Sequence, residues 1–196
     1  SGREGGRTQV AYTRDWLEGC SGQAQRRRWY EHTQSLAGVC AGEDPRRRVA
    51  WGGPDMSVRS CISARQMETW SHGQAVFDLL GLVREDGDRL RNIVVMGVNT
   101  FGWSFVTNGL EVPADAPRVQ LRAPSGDTWQ WNTEQADNLI AGSAVEFCQV
   151  VTQTRNVADT ELEVQGDIAR QWMTIAQCFA GPPEPPPPPG TRFRIT

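Results

Sequence analysis

Apolar residues recur at helical spacing as far as Asn108-Gly109, and beyond Pro113 they alternate, so the chain must join an N-terminal helical part to a smaller mixed part. Helices are predicted over about 7–20 and 23–39, the second carrying Trp29, His32 and Leu36 at spacings of three and four. Ala41-Gly42-Glu43-Asp44-Pro45 and Trp51-Gly52-Gly53-Pro54 read as loops. A long helix should start after Asp55 or Ser57 and stop at Gly81. Asp88 reads as the cap of a fourth, with Leu90, Val94, Val98, Phe101 and Phe105 as its apolar stripe. Next come a hairpin of 118–121 and 128–131 around Ala123-Pro124-Ser125-Gly126-Asp127, a helix over 143–154, a strand over 162–164 and a helix over 167–180. The expected class is α+β: a helical bundle over 1–110, a small α+β domain over 111–181, and a proline-rich, extended, solvated tail over 182–196.

Several chemistries are excluded by composition. All twenty basic residues are arginine, which removes lysine Schiff bases and the lysine of a Walker phosphate loop. The formal charge of -3 argues against general nucleic-acid binding, and Arg26-Arg27-Arg28 and Arg46-Arg47-Arg48 read as solvated clusters. Cys20, Cys40, Cys61, Cys148 and Cys178 are odd in number and widely spaced, the usage of free thiols. No apolar run approaches the ~20 residues of a membrane span, and Ser1-Gly2-Arg3-Glu4-Gly5-Gly6 does not read as a signal segment, so cytoplasmic residence without a membrane partner is expected. At 38% hydrophobic content with eight tryptophans, the chain can build a real core.

Within the long helix, Cys61, Ala64, Ala75, Val76 and Leu79 mark one apolar arc, and Arg65, Glu68 and His72 fall inside it. A carboxylate buried there needs a cation, which Arg65, protonated His72 or a divalent metal would supply. Glu68 and His72, one turn apart, are candidate metal ligands, although the same spacing also serves an ordinary i,i+4 hydrogen bond. Catalytic zinc typically takes three protein ligands, and this motif offers two.

Arg65-Gln66-Met67-Glu68-Thr69-Trp70-Ser71-His72-Gly73-Gln74 follows Trp51-Gly52-Gly53-Pro54 and precedes Val150-Val151-Thr152-Gln153 and Phe179-Ala180-Gly181-Pro182-Pro183. From about Asp44 to Pro183 this order of motifs resembles an uncharacterised, largely actinobacterial family of metal-binding proteins. That family is related to the mycothiol-dependent maleylpyruvate isomerases and their DinB-like helical bundles. The resemblance implies a helical bundle binding a divalent metal, usually zinc, followed by a domain similar to sterol-carrier-like folds. Glu68 and His72 would be two ligands, and a third, a histidine from an earlier helix, would lie upstream of Ser1, since His32 does not match that position. The bundle would then lack its first helix or helices. Relatives often carry an acidic residue where Ala75 stands and consecutive arginines where Thr154 precedes Arg155. Arg155 is the expected contact to an anionic substrate or to the thiol cofactor, mycothiol.

The function expected from this resemblance is divalent-metal binding in a thiol-dependent transferase or isomerase acting on a small molecule. The alternative is a non-catalytic protein that binds a small-molecule or lipid-like ligand beside Trp129, Trp131, Trp172 and Phe179, or a truncated inactive relative. Part of the family is also similar to a domain labelled for wyosine base formation in tRNA, which the acidic balance and the absence of an iron-sulfur cysteine motif disfavour.

Overall fold

The computed structural model describes residues 9–50 and 55–195. Its chain divides into two compact units, 1–61 and 62–196, the division falling inside one long helix. Helices and sheet are both present, and the N-terminal part is helical, as the α+β class requires.

The first unit holds α1 (Gln9–Leu17) and α2 (Gly22–Ala41), where Ser21 Oγ caps α2 by accepting from the Ala24 N–H at 3.2 Å. Every residue of α2 stays at least partly accessible. Two short strands, β1 (Arg48–Val49) and β2 (Met56–Ser57), pair antiparallel where the sequence suggested only loop. The Trp51-Gly52-Gly53-Pro54 motif lies outside the described residues. The long helix α3 (Val58–Leu79) starts as expected, with Ser57 Oγ accepting from the Ser60 N–H at 3.1 Å, and Gly81 beyond it takes φ of 67°.

In the second unit the expected fourth helix is two helices, α4 (Arg91–Asn99) and α5 (Phe101–Thr107). The break has a local cause. Thr100 Oγ1 donates to the carbonyls of Met96 at 2.9 Å and Gly97 at 3.0 Å, a back-bonding that bends a helix. Asp88 does not cap this segment; its carboxylate accepts from the Ser125 N–H at 3.0 Å.

The sheet contains β3 (Arg118–Arg122), β4 (Thr128–Trp131), β5 (Leu139–Ser143) and β6 (Glu163–Gln165), in the order β4-β3-β5-β6. The β3–β4 hairpin is the expected one, with Leu121 opposite Trp129. Strand β5, unforeseen, pairs parallel to β3 and antiparallel to β6. It leads directly into α6 (Ala144–Val151), and α7 (Asp167–Ile175) closes the unit, shorter than predicted because the chain turns extended at Ala176.

One core joins these helices to the sheet. Trp172 of α7 sits edge-on to Phe101 at 5.2 Å and packs against Phe147 at 5.9 Å. Helices α4 and α6 meet at Gly97, where a Cβ would lie 2.9 Å from a Val151 methyl. Residues 182–195, expected to be a solvated tail, are mostly exposed and are also hydrogen-bonded back onto this unit at several points.

Candidate functional site

Helix α3 buries a different face from the one its apolar residues suggested. Met67, Trp70, Gln74 and Asp78 turn inward, while Val76 and Leu79 are 57% and 70% exposed. The deciding contacts come from Trp70: its indole N–H donates to Asp86 at 2.8 Å, and Arg84 donates to its carbonyl at 2.7 Å while lying over its ring. Glu68 and His72 are therefore surface residues at the edge of the packed face, their side chains 41% and 84% exposed. His72 Nε2 and Glu68 Oε2 are 3.1 Å apart. The carboxylate thus has its partner within the helix, and Arg65 is exposed.

The separation suits more than one use. Two ligands about 2.0–2.1 Å from a tetrahedral zinc stand about 3.3 Å apart, close to the observed spacing. The same contact is also how a carboxylate orients a histidine. Among the described residues no group of three or more His, Cys, Asp or Glu side chains is arranged to hold a metal, so the pair fits one edge of a metal site and not a complete one. His32 stands on α2 with its ring 6.4 Å from that of Trp16.

Behind the pair lies a half-open groove of about 360 Å³. Met67, Glu68, Ser71 and His72 form one wall, Thr152 to Thr154 another, and Phe179, Glu184 and Arg192 complete it. The second wall is the end of α6, and its shape follows from how that helix stops. The Gln153 N–H donates to the Val150 carbonyl at 2.9 Å and the Thr154 N–H to that of Gln149 at 2.9 Å, the paired bonds of a Schellman ending. Glycine normally fills the left-handed position of that motif, but here Gln153 holds it, at φ of 55°. Its amide donates to the carbonyls of Ala176 at 3.1 Å and Glu184 at 2.8 Å. Gln153 belongs to the Val150-Val151-Thr152-Gln153 motif, but its left-handed conformation and its role in the groove wall are not legible there, because nothing in its neighbours marks a non-glycine left-handed residue.

Arg155, expected at the cofactor, is buried beside this wall and engaged elsewhere. Its Nη2 lies 2.6 Å from Asp78 Oδ1, and Nη1 donates to the Thr154 carbonyl at 2.8 Å. Burial pushes the Asp78 carboxyl up, but hydrogen bonds from Arg155 and Gln74 and the nearby Arg155 and Arg194 charges outweigh it, leaving the pKa below the ordinary value. Arg192 is the arginine that lines the groove. Of the four aromatic residues suggested as a ligand pocket, Trp129 and Trp172 are in the core, Trp131 is packed against it, and Phe179 lines the groove. Burial raises the Cys178 thiol to about 12 and lifts that of Cys148 well above its usual value, so neither is set up as a nucleophile. Among the described residues no helix is long and apolar enough to cross a membrane.

Residues 2–77 match the family described as the mycothiol maleylpyruvate isomerase N-terminal domain. That stretch takes in α1, α2 and α3 as far as Phe77, with Glu68 and His72 inside it, so the similarity to this family covers the N-terminal helices. Two uncharacterised proteins of Mycobacterium tuberculosis, from two strains, are each 47% identical to it over 137 residues, which is 70% of this chain and 53% of the relative. The chain therefore spans about half the length of the curated relatives it matches. No solved structure matches it.

Proposed function

We propose that this chain is a mycothiol-related, isomerase-like protein in which Glu68 and His72 hold a divalent metal, zinc, at the mouth of the groove. The observation that carries this reading is the 3.1 Å pairing of an exposed imidazole and a carboxylate on the wall of that groove, within the matched domain. Bound zinc would lower the pKa of a coordinated thiol or water and keep it anionic near neutral pH.

The chain's own groups then divide the work. His72 would hold the metal through its imidazole, and the Glu68 carboxylate would offset part of the metal's charge. Arg192, at the groove's edge, is placed to meet an anionic group of a small-molecule substrate or thiol. Arg155 reaches such a ligand only by leaving Asp78, so in the present arrangement it supports the wall rather than the ligand. The half-open groove itself supports a second reading, in which it binds a small molecule without turnover.

Zinc stoichiometry and affinity, measured by competition with a coloured chelator, separate the two. About one zinc per chain, lost in both Glu68→Ala and His72→Ala, supports the metal reading and justifies thiol-transfer assays. Weak binding unchanged by either substitution overturns it.

A further inference from the structure

The proline-rich segment 182–190 has two backbone N–H groups, Glu184 and Gly190, all its other residues being proline. Both are engaged. The Glu184 N–H donates to Gln177 Oε1 at 3.1 Å, and the Gly190 N–H to the Asp159 carboxylate at 2.9 and 3.0 Å. Side-chain amides serve the carbonyls in turn. Gln177 donates to Pro182 at 3.1 Å, Gln153 to Glu184 at 2.8 Å, and Asn156 to Pro187 at 2.9 Å. Farther along, the Ile195 N–H donates to the Asp78 carbonyl at 2.9 Å, and a Cβ at Gly81 would come within 2.8 Å of the Ile195 carbonyl oxygen. The body thus reads the main chain of an extended segment with donors opposite acceptors along its length. Proline rigidity lowers the entropy lost when such a segment is ordered.

We infer that residues 182–195 are a docked strap that forms one side of the groove beside Glu68 and His72 and controls access to it. Its occupant is this chain's own C-terminal segment. Glu184, Pro185, Pro187 and Arg192 border the groove across from Met67, a residue only 3% exposed. Gln153 serves both parts, since the residue that shapes the groove wall also holds Glu184. Release of the strap opens the groove and removes Arg192 from it. The strap's effect on function rests on the reading of Glu68 and His72 as the ligand site, whereas its docking does not.

The test needs no metal. In the full chain, amide hydrogen exchange at Glu184, Gly190 and Ile195 is expected to be slowed at least about tenfold relative to a free peptide, which corresponds to roughly 1.4 kcal/mol of opening. Peroxide oxidation, followed by peptide mass spectrometry, then reads the groove at Met67 and the core at Met173, which is 1% exposed. In a chain ending at Gly181, Met67 should oxidise about tenfold faster while Met173 remains protected, as a local opening predicts. If Met173 also becomes reactive, the shortened chain has lost its fold, and Asn156→Ala with Asp159→Ala decides, since it removes two anchors and leaves buried Gln177 in place. Free-chain exchange at the three amides, or a Met67 rate unchanged by strap release in a folded variant, overturns the inference. Zinc loss in the Glu68 and His72 variants beside an unprotected strap would retain the metal reading and discard the strap.

Discussion

The Arg155 guanidinium meets the Asp78 carboxylate at 2.6 Å and ties the last turn of α3 to the segment beyond α6, 77 residues later. Both side chains are nearly enclosed, and Gln74 completes the set by donating to the same carboxylate oxygen at 3.0 Å. Removing one partner leaves a buried charge without compensation, which typically costs about 3–5 kcal/mol. Arg155→Met and Asp78→Asn should each lower the urea midpoint at neutral pH strongly. The double variant should be less destabilised than the sum of the two, and a simple sum would show that the groups act separately.

The same pair sets an acid limit. Because the folded pKa of Asp78 lies below its ordinary value, its contribution to stability is fully present above the unfolded value of about 3.9 and is lost as the pH falls through the folded value. Wild-type stability should therefore fall below about pH 4 more steeply than that of Asp78→Asn. Parallel acid profiles for the two proteins would remove this pair as the cause.

Gln153 stores backbone strain that its amide offsets. Gln153→Ala keeps the left-handed conformation and loses the bonds to Ala176 and Glu184, whereas Gln153→Gly loses the bonds but also relieves the strain. The glycine variant should be more stable than the alanine variant by about 1 kcal/mol, with wild type above both. Equal denaturant midpoints for Ala and Gly would mean that the turn relaxes away from positive φ.

What could be read from the sequence depended on how local its cause was. The β3–β4 hairpin was legible because alternation and a Pro-Ser-Gly-Asp turn lie within fourteen residues. Strand β5 was not, since Leu139-Ile140-Ala141-Gly142-Ser143 lacks alternation and becomes a strand only by lying between β3 and β6. The pairing of Glu68 with His72 followed from helical spacing, but its exposure did not. Helix α3 carries large apolar residues on more than one side, and the inward face is chosen by Asp86 and Arg84 holding Trp70. The engagement of Arg155 depended on a residue far away in sequence, which no local motif announces.

Helices α4 and α6 approach so closely that position 97 has no room for a methyl group. A Cβ there would meet Val151 at 2.9 and 3.1 Å and Phe147 at 3.0 Å, all side-chain atoms of a packed core. Gly97→Ala should gain helix propensity yet destabilise overall, since overpacking typically costs about 1–3 kcal/mol. Combining it with Val151→Ala, which removes two of the three clashing atoms, should recover part of the loss relative to the sum of the single changes. Strict additivity in thermal melts would locate the strain elsewhere.

Thiol reactivity should divide the five cysteines by burial. Cys148 and Cys178 are enclosed, and burial raises both thiols, Cys178 to about 12. Cys20, Cys40 and Cys61 are only partly covered, and Cys61 is raised mainly by its own partial burial, with Cys40 adding to the effect and Arg48 opposing it. Iodoacetamide at pH 8 should label Cys20 and Cys40 first and Cys61 more slowly, leaving Cys148 and Cys178 unmodified until denaturant is added. Native labelling of Cys178 at a rate matching Cys20 would show that the segment following α7 opens far more readily than its contacts with Val151 and Ser104 imply.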